Sequence, residues 1–436
     1  MQSSRIQSEP SSSAPLGSVE GEFDLRTSAA TSTEGSEPDS TRSEFESRSM
    51  TQTLCNPTRE ADLRSLLQEL ANEAQRFRFE VAPNPCVGAA VLAGGRVIGR
   101  GFHEYWGGPH AEREALRAAE QSGVPKVEWD TLVVTLEPCS TEGKTPACTD
   151  SIIASGVRQV VVSELDPDSR HRGAGLAILE SAGIGVTVLA GCPKLSETST
   201  HFLKWTSHER VRRPRPWVIA KWAQTRSGQL TPPEDFGDGR WISSPESLAE
   251  VQVLRSRVDA IVTGYGTVHA DDPRMTVRAP GDPMRAPARV VLDTNLRMSL
   301  DARILKQVVT TEEAGGPTWV LARAGEDPVR HRALVQAGAQ VTGLKGNSSG
   351  QVSLRASLNW LWEAGARRVL LECGTTLLES FLRGHFVDQV RIYTGDVNGG
   401  RGPSMGAWLT PDNFDARLDR SSGADSVLEA FVRSAG

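Results

Sequence analysis

Three scarcities narrow what this chain can be. Long apolar runs are missing: nothing approaches the ~18–20 residues that cross a bilayer, and Met1-Gln2-Ser3-Ser4-Arg5 lacks the apolar core of a secretory signal. Cysteine is sparse. Six in 436 residues are too few for a disulfide framework, so a reducing cytoplasm is the expected location. Positive charge is not in excess either. A net charge of −6 offers no footprint for a polyanion. The expected partner is therefore a small molecule, neither nucleic acid nor membrane, with a homo-oligomer left open.

What is present is ordinary for a soluble globular protein, with 38% hydrophobic and 23% charged residues. The length suits two domains. Residues 1–55 are a Ser/Glu-rich tail that cannot bury enough surface to fold, and Met50 offers an alternative start. A first domain is expected over 56–205, a linker over 206–216 around Arg212-Arg213-Pro214-Arg215-Pro216, and a second domain over 217–436. In the first, Leu63, Leu66, Leu67 and Leu70 share a helical face, and Gly94-Gly95 joins two strand patterns as a hairpin. Helix and strand patterns then alternate in both halves, which predicts an α/β protein.

The strongest chemical signal is His110-Ala111-Glu112, followed by Pro138-Cys139 and Cys148. One imidazole and two thiolates leave a fourth tetrahedral position for water, the open arrangement of a catalytic zinc. Glu112, two residues past His110 at the start of a helix, could reach that water without ligating and move its proton. This is the H-x-E…P-C pattern of zinc nucleobase deaminases. Singly, each residue is an ordinary core cysteine or surface histidine; together their spacing points to metal. The second cysteine follows the first by nine positions rather than three, and the added loop carries Lys144, a grip for substrate oxygen. Cys55, Cys86, Cys192 and Cys373 read as packing residues.

The second half is less explicit. Gly264-Tyr265-Gly266-Thr267 and Glu372-Cys373-Gly374-Thr375-Thr376 each run from a strand into a helix, where backbone amides can hold phosphate. Either alone is more simply a structural turn. Arg255 and Arg278 are candidates for a sugar phosphate, although most exposed arginines are merely solvated.

Taken together, Asn84–Gly88, Gly101–His103, Gly107–Glu112, Thr135–Cys139 and Gly143–Cys148 resemble the deaminase half of the bifunctional riboflavin biosynthesis proteins. Lys221-Trp222-Ala223, Arg240–Ser243, Gly266–Arg278, Val290–Asp293 and Leu370–Leu377 resemble their reductase half. The resemblance implies a cytidine-deaminase-like α/β/α sandwich followed by a dihydrofolate-reductase-like α/β domain. It assigns zinc to His110, Cys139 and Cys148, proton transfer to Glu112, and the pyrimidine to Asn84, His103 and Lys144. It sets NADPH against Ala223, Trp241, Thr267, Asp271, Thr294, Gly374, Thr375, Thr376, Leu377, Leu378, Glu379 and Ser380. It sets the ribose phosphate against Gly239, Arg255, Met275, Arg278 and Glu372. The implied activity is hydrolytic deamination of a diaminopyrimidinone ribosylamine phosphate, then NADPH-dependent reduction of its ribosyl group to ribityl. The alternative is a zinc deaminase of that or another base, with a second half that is inactive or only binds nucleotide. Two positions depart from the family pattern: Thr141 stands where a histidine is usual, and Ser227 where an acid is usual, ahead of an enlarged loop from Thr231 to Gly239.

Overall fold

The structure, a computed structural model, describes residues 57–142, 146–169, 171–211, 215–236, 241–278 and 286–433. The N-terminal tail, Lys144, Gly239, Arg240 and the Arg212–Pro214 part of the expected linker lie outside the described residues.

The first sheet has five strands: β1 Gly88–Ala93, β2 Arg96–Phe102, β3 Trp129–Val134, β4 Gln159–Val162 and β5 Gly185–Val188. Their order is β2-β1-β3-β4-β5, with β1 antiparallel to both neighbours and β3, β4 and β5 parallel. The hairpin joining β1 to β2 turns at Gly94 and Gly95, whose φ values of 59° and 78° suit residues without a side chain. All six residues of β1 are buried, because helices cover both faces. Ala89, Val91, Leu132 and Val160 face helices α2 (Ala111–Gln121), α3 (Cys148–Ser155) and α4 (Ala174–Ser181). The alternate residues Ala90, Leu92, Val133 and Val161 face Leu63, Leu67 and Leu70 of α1 (Pro57–Ala74). The two-residue period of the strands thus produces the expected α/β/α sandwich.

A helix α5, Thr200–Val211, runs through the start of the stretch expected to link the halves. Beyond it, β6 (Trp217–Gln224) begins a nine-stranded sheet. Seven of its strands are parallel: β6, β7 (Ala260–Gly264), β8 (Ala288–Leu292), β9 (Thr318–Arg323), β10 (Ala339–Leu344), β11 (Arg368–Leu371) and β12 (Gln389–Thr394). Their order is β10-β9-β8-β7-β11-β6-β12, extended by the antiparallel strands β14 (Asp425–Val432) and β13 (Phe414–Ser422). Helices α6 (Pro245–Ser256), α7 (Tyr265–Asp271), α8 (Pro328–Gln336), α9 (Leu354–Glu363) and α10 (Thr375–Arg383) complete this half. Ser244 caps α6 by accepting from the Ser247 amide at 3.3 Å, with Pro245 in the first helical position. The β13–β14 hairpin was not apparent in the sequence, because β13 lies at the sheet edge and carries Arg417 and Asp419 rather than an apolar run.

The halves share a core. Phe79 and Ala82 of the first pack with Trp217, Ile219, Leu254 and Phe431 of the second. The Phe79 carbonyl accepts from Arg368 at 3.1 Å and from Gln389 at 3.0 Å, at the starts of β11 and β12. Next to it Glu80 pairs with Arg391 and, at 3.0 Å, with Arg257. Burial alone would raise the Glu80 pKa, but Arg391, Arg368 and Arg257 bring it down to about 2. A depressed acid stabilises the fold above its unfolded pKa and stops doing so as pH falls through the folded value. Glu80→Gln is therefore expected to lower stability at pH 7 by roughly 1–3 kcal/mol. It should also flatten the loss of stability that the native chain shows from about pH 4.5 down to about 2, read by urea unfolding across that range.

Candidate active sites

Strand β3 ends at Val134, one short loop before Cys139, and α2 opens immediately after His110, which occupies the N-cap position. The helix can lie close to β2 because residue 101 is glycine: a Cβ there would sit 2.1 Å from the Ala115 amide nitrogen. This approach, with α3 starting at Cys148, brings three ligand atoms to within 4.8 Å of one another: His110 Nδ1, Cys139 Sγ and Cys148 Sγ. His110 Nδ1 lies 3.5 Å from Cys139 Sγ and 3.4 Å from Cys148 Sγ. A tetrahedral zinc with ordinary bond lengths needs N···S edges of about 3.6 Å, so the triangle fits that ion. The hydrogen bond from Cys148 is the main influence driving Cys139 toward thiolate, to about 4, against burial and with help from His110. Cys148 keeps its proton because it faces that sulfur. A cation would take the place of the shared proton.

Glu112 is buried beside the triangle, and burial raises its pKa. His103 is buried too. Its Nδ1 donates to the Pro109 carbonyl at 3.0 Å, leaving Nε2 to accept from Asn84 Nδ2 at 3.1 Å. Burial lowers the His103 pKa to about 4, so the ring is neutral. Its centroid is 5.3 Å from that of His110. The structure thus gathers Asn84, His103, His110, Glu112, Cys139 and Cys148. It also adds His201 of α5, whose Nε2 donates to the Asn84 carbonyl at 2.8 Å. Sequence reasoning missed His201, since only folding carries it across the intervening residues.

In the second half the candidates collect at the carboxyl ends of the parallel strands, where open α/β sheets bind ligands. Glu372, just past β11, receives a two-pronged pair from Arg255 of α6, at 2.6 and 3.0 Å. Arg255 also donates to the Thr276 carbonyl at 2.9 Å and reaches Met275 Sδ at 3.9 Å. The turn that places Met275 puts both Asp272 and Met275 in left-handed backbone, with φ of 40° and 53°. Arg278 is exposed on a short strand, its amide held by Gln252 of the same helix as Arg255. Lys221 of β6 was not singled out in the sequence for any role; its side chain is mostly but not fully buried, 13% exposed, with Nζ 4.0 Å from Glu372. Burial lowers the Lys221 pKa, partly offset by Glu372. Burial would raise that of Glu372, but Arg255 and Lys221 hold it below the ordinary value.

The two glycine-containing loops meet directly: the Gly374 amide donates to Thr267 Oγ1 at 3.1 Å. Gly374 caps α10, so the next amides of that helix have no intrahelical partners and can take pyrophosphate. That donor set fits a dinucleotide. Leu378 is buried in the core and Glu379 pairs with Arg383, so from Leu378 and Glu379 a ligand would meet little more than backbone. Thr294 follows β8, the neighbour of β7, and its hydroxyl accepts from Val352. Asp271 ends α7, Ala223 packs beside Tyr393, and Trp241 is exposed.

Comparison with known proteins matches residues 61–164 to the cytidine and deoxycytidylate deaminase zinc-binding region, and residues 216–405 to the RibD C-terminal domain. Riboflavin biosynthesis protein RibD of Aquifex aeolicus is 38% identical over 334 residues, covering 76% of this chain and 86% of its own length. The chain belongs to the RibD family. RibD of Escherichia coli is 34% identical, over 73% of this chain and 84% of its own. The RibD structure from Acinetobacter baumannii aligns with a TM-score of 0.59 at 27% identity, over 86% of this chain and all of its own. A Thermotoga maritima structure described as a diaminohydroxyphosphoribosylaminopyrimidine deaminase and phosphoribosylaminouracil reductase aligns with a TM-score of 0.57 at 28% identity, over 86% of this chain and 99% of its own. Both catalytic domains of the RibD family are present, with the zinc-binding deaminase domain ahead of the NADPH-dependent reductase domain.

The two departures from the RibD pattern differ in setting. Thr141 is exposed at the edge of the zinc loop. The Ser227 hydroxyl donates to the Gly399 carbonyl at 3.1 Å, while its own carbonyl accepts from Ser404 at 2.8 Å. Ser227 therefore ties its loop to the segment ahead of residue 405, a bond an ionised acid could not donate. Two outcomes follow from these geometries. The purified chain should carry one zinc ion, and Cys148→Ser should lose most of it, as elemental analysis after dialysis will show. Glu372→Gln should cut reductase turnover at least about tenfold by leaving Arg255 and Lys221 underpaired, with zinc content unchanged.

Proposed function

We propose that residues 56–205 and 217–436 catalyse two successive steps of riboflavin biosynthesis on one metabolite, a diaminopyrimidinone ribosylamine phosphate. The observation that carries this reading is the triangle of His110, Cys139 and Cys148 with Glu112 buried at its side, in one chain with the Arg255–Glu372–Lys221 cluster.

In the first step the 2-amino group is replaced by oxygen from water. His110, Cys139 and Cys148 would hold zinc, which would supply the acidity that makes water a nucleophile near neutral pH. Glu112 accepts the proton that water loses and returns it to the departing amine, which leaves as ammonia. Its raised pKa suits a group that must both take and give a proton. Asn84 and neutral His103 offer the pyrimidine a fixed pattern of donors and acceptors, with Lys144 as a further contact.

In the second step bound NADPH would be the source of hydride for the first carbon of the ribose. Lys221, with its lowered pKa, stands ready to give a proton to the ring oxygen released as the sugar opens. Hydride on carbon and proton on oxygen complete the ribityl chain. Arg255, Met275, Arg278, Gly239 and Glu372 would hold the ribose phosphate. NADPH would lie along Ala223, Trp241, Thr267, Asp271, Thr294 and the Gly374–Ser380 turn. Small metabolites and unpaired thiols suit a reducing cytoplasm.

Mass spectrometry on the product formed from this substrate and NADPH tests the reading. The native chain should yield product both deaminated and reduced. Glu112→Gln should lower deamination by about 10²–10⁴-fold, while supplied deaminated substrate is still reduced. Deamination without reduction would remove the second half of the proposal.

A further inference from the structure

Helix α6 ends at Ser256, and its last residues point to different places. Arg255 holds Glu372 in the reductase cluster. Arg257, in the C-cap position, faces the first half: its guanidinium lies 4.2 Å from the centroid of the Tyr105 ring, and Nη1 donates to Glu80 at 3.0 Å. Tyr105 belongs to the short loop between β2 and α2, which carries His103 at one end and His110 at the other.

The ring of Tyr105 rests on the backbone of Gly108. A Cβ at residue 108 would come within 2.7 Å of two ring carbons, so the ring occupies the space of the missing side chain. The Gly108 amide donates back to the Tyr105 carbonyl at 3.0 Å, closing the turn. Directly after Gly108 comes Pro109, whose carbonyl receives His103 Nδ1 and so aims Nε2 at Asn84. The Trp106 amide anchors the same loop by donating to the Glu80 carbonyl at 3.0 Å. The contacts run without a gap from Arg257 through Tyr105 and Gly108 to Pro109 and His103.

Arg257 shares the neutralisation of Glu80 with two other arginines. Glu80 is already paired with Arg391 and lies in the field of Arg368. The contact that those arginines do not supply is the cation over the Tyr105 ring, which presses the ring onto Gly108. We propose that Arg257, a residue of the reductase half, is a positioning residue for the deaminase site, clamping Tyr105 so that the Pro109 carbonyl holds His103 toward Asn84. The inference rests on the deaminase reading of the first site.

The test uses the full chain loaded with zinc. In Arg257→Met, which keeps the aliphatic stem and removes the cation, the deaminase KM should rise about five- to tenfold. Its kcat and zinc content should stay near native values, and KM for supplied deaminated substrate at the reductase should stay within about twofold. Tyr105→Ala should reproduce the effect, Tyr105→Phe should not, and Arg257→Met with Tyr105→Ala should be no worse than either alone. An unchanged deaminase KM in Arg257→Met overturns the proposal, as does a loss shared equally by both activities or accompanied by loss of zinc. A native chain that fails to deaminate overturns the deaminase reading, and this inference with it.

Discussion

Glu80 brings one negative charge into a space governed by three guanidinium groups, those of Arg257, Arg368 and Arg391. The three come from distant points of the second half: the end of α6, the start of β11 and the middle of β12. Without the carboxylate they would repel one another in a poorly hydrated junction, and Arg368 is fully buried. Phe79, the preceding residue, fills the hydrophobic core of the second half and caps Arg368 and Gln389 through its carbonyl. One short turn, Arg78–Val81, thus supplies both the apolar plug and the counter-charge that join the two halves.

The junction also orders the two chemistries in space. Arg368 at the start of β11 faces the first half, whereas Glu372, four residues on, lies beyond the other end of that strand. A strand of this length spans about 13 Å. The reductase cluster therefore lies at the carboxyl ends of the parallel strands, and the deaminase half docks at their amino ends. Each site keeps its own electrostatic character. The zinc site gathers a thiolate, a thiol and the neutral His103 imidazole around a protonatable carboxylate; the reductase cluster balances one carboxylate against two cations, suited to a phosphorylated ligand.

How much of this was legible beforehand follows from the range of the interactions. The zinc residues were visible because metal chemistry restricts residue type and spacing so tightly that His110, Glu112, Cys139 and Cys148 stand out in the linear sequence. The strands and helices of the first half were visible because β1 is an unbroken apolar run ending at the Gly94-Gly95 turn and α1 carries a helical apolar period. Edge strand β13 was not, since one side of it faces water and its charges hide the pattern. The roles of Lys221, His201 and Arg257 were also not legible. A lone lysine in a strand, a histidine in a helix or an arginine after one looks solvated until its neighbours are known.

By itself, then, the sequence determined the α/β class, the two-domain plan and the donor set for zinc, all consequences of local periodicity and of ligand chemistry. Tertiary structure alone decided which charges meet. Burial turned Lys221 and Glu372 into a coupled pair, brought His201 beneath Asn84, and set Arg257 of one half over Tyr105 of the other. These pairings join residues far apart in the chain, and their strength comes from the exclusion of water, which exists only once both sheets have closed around them.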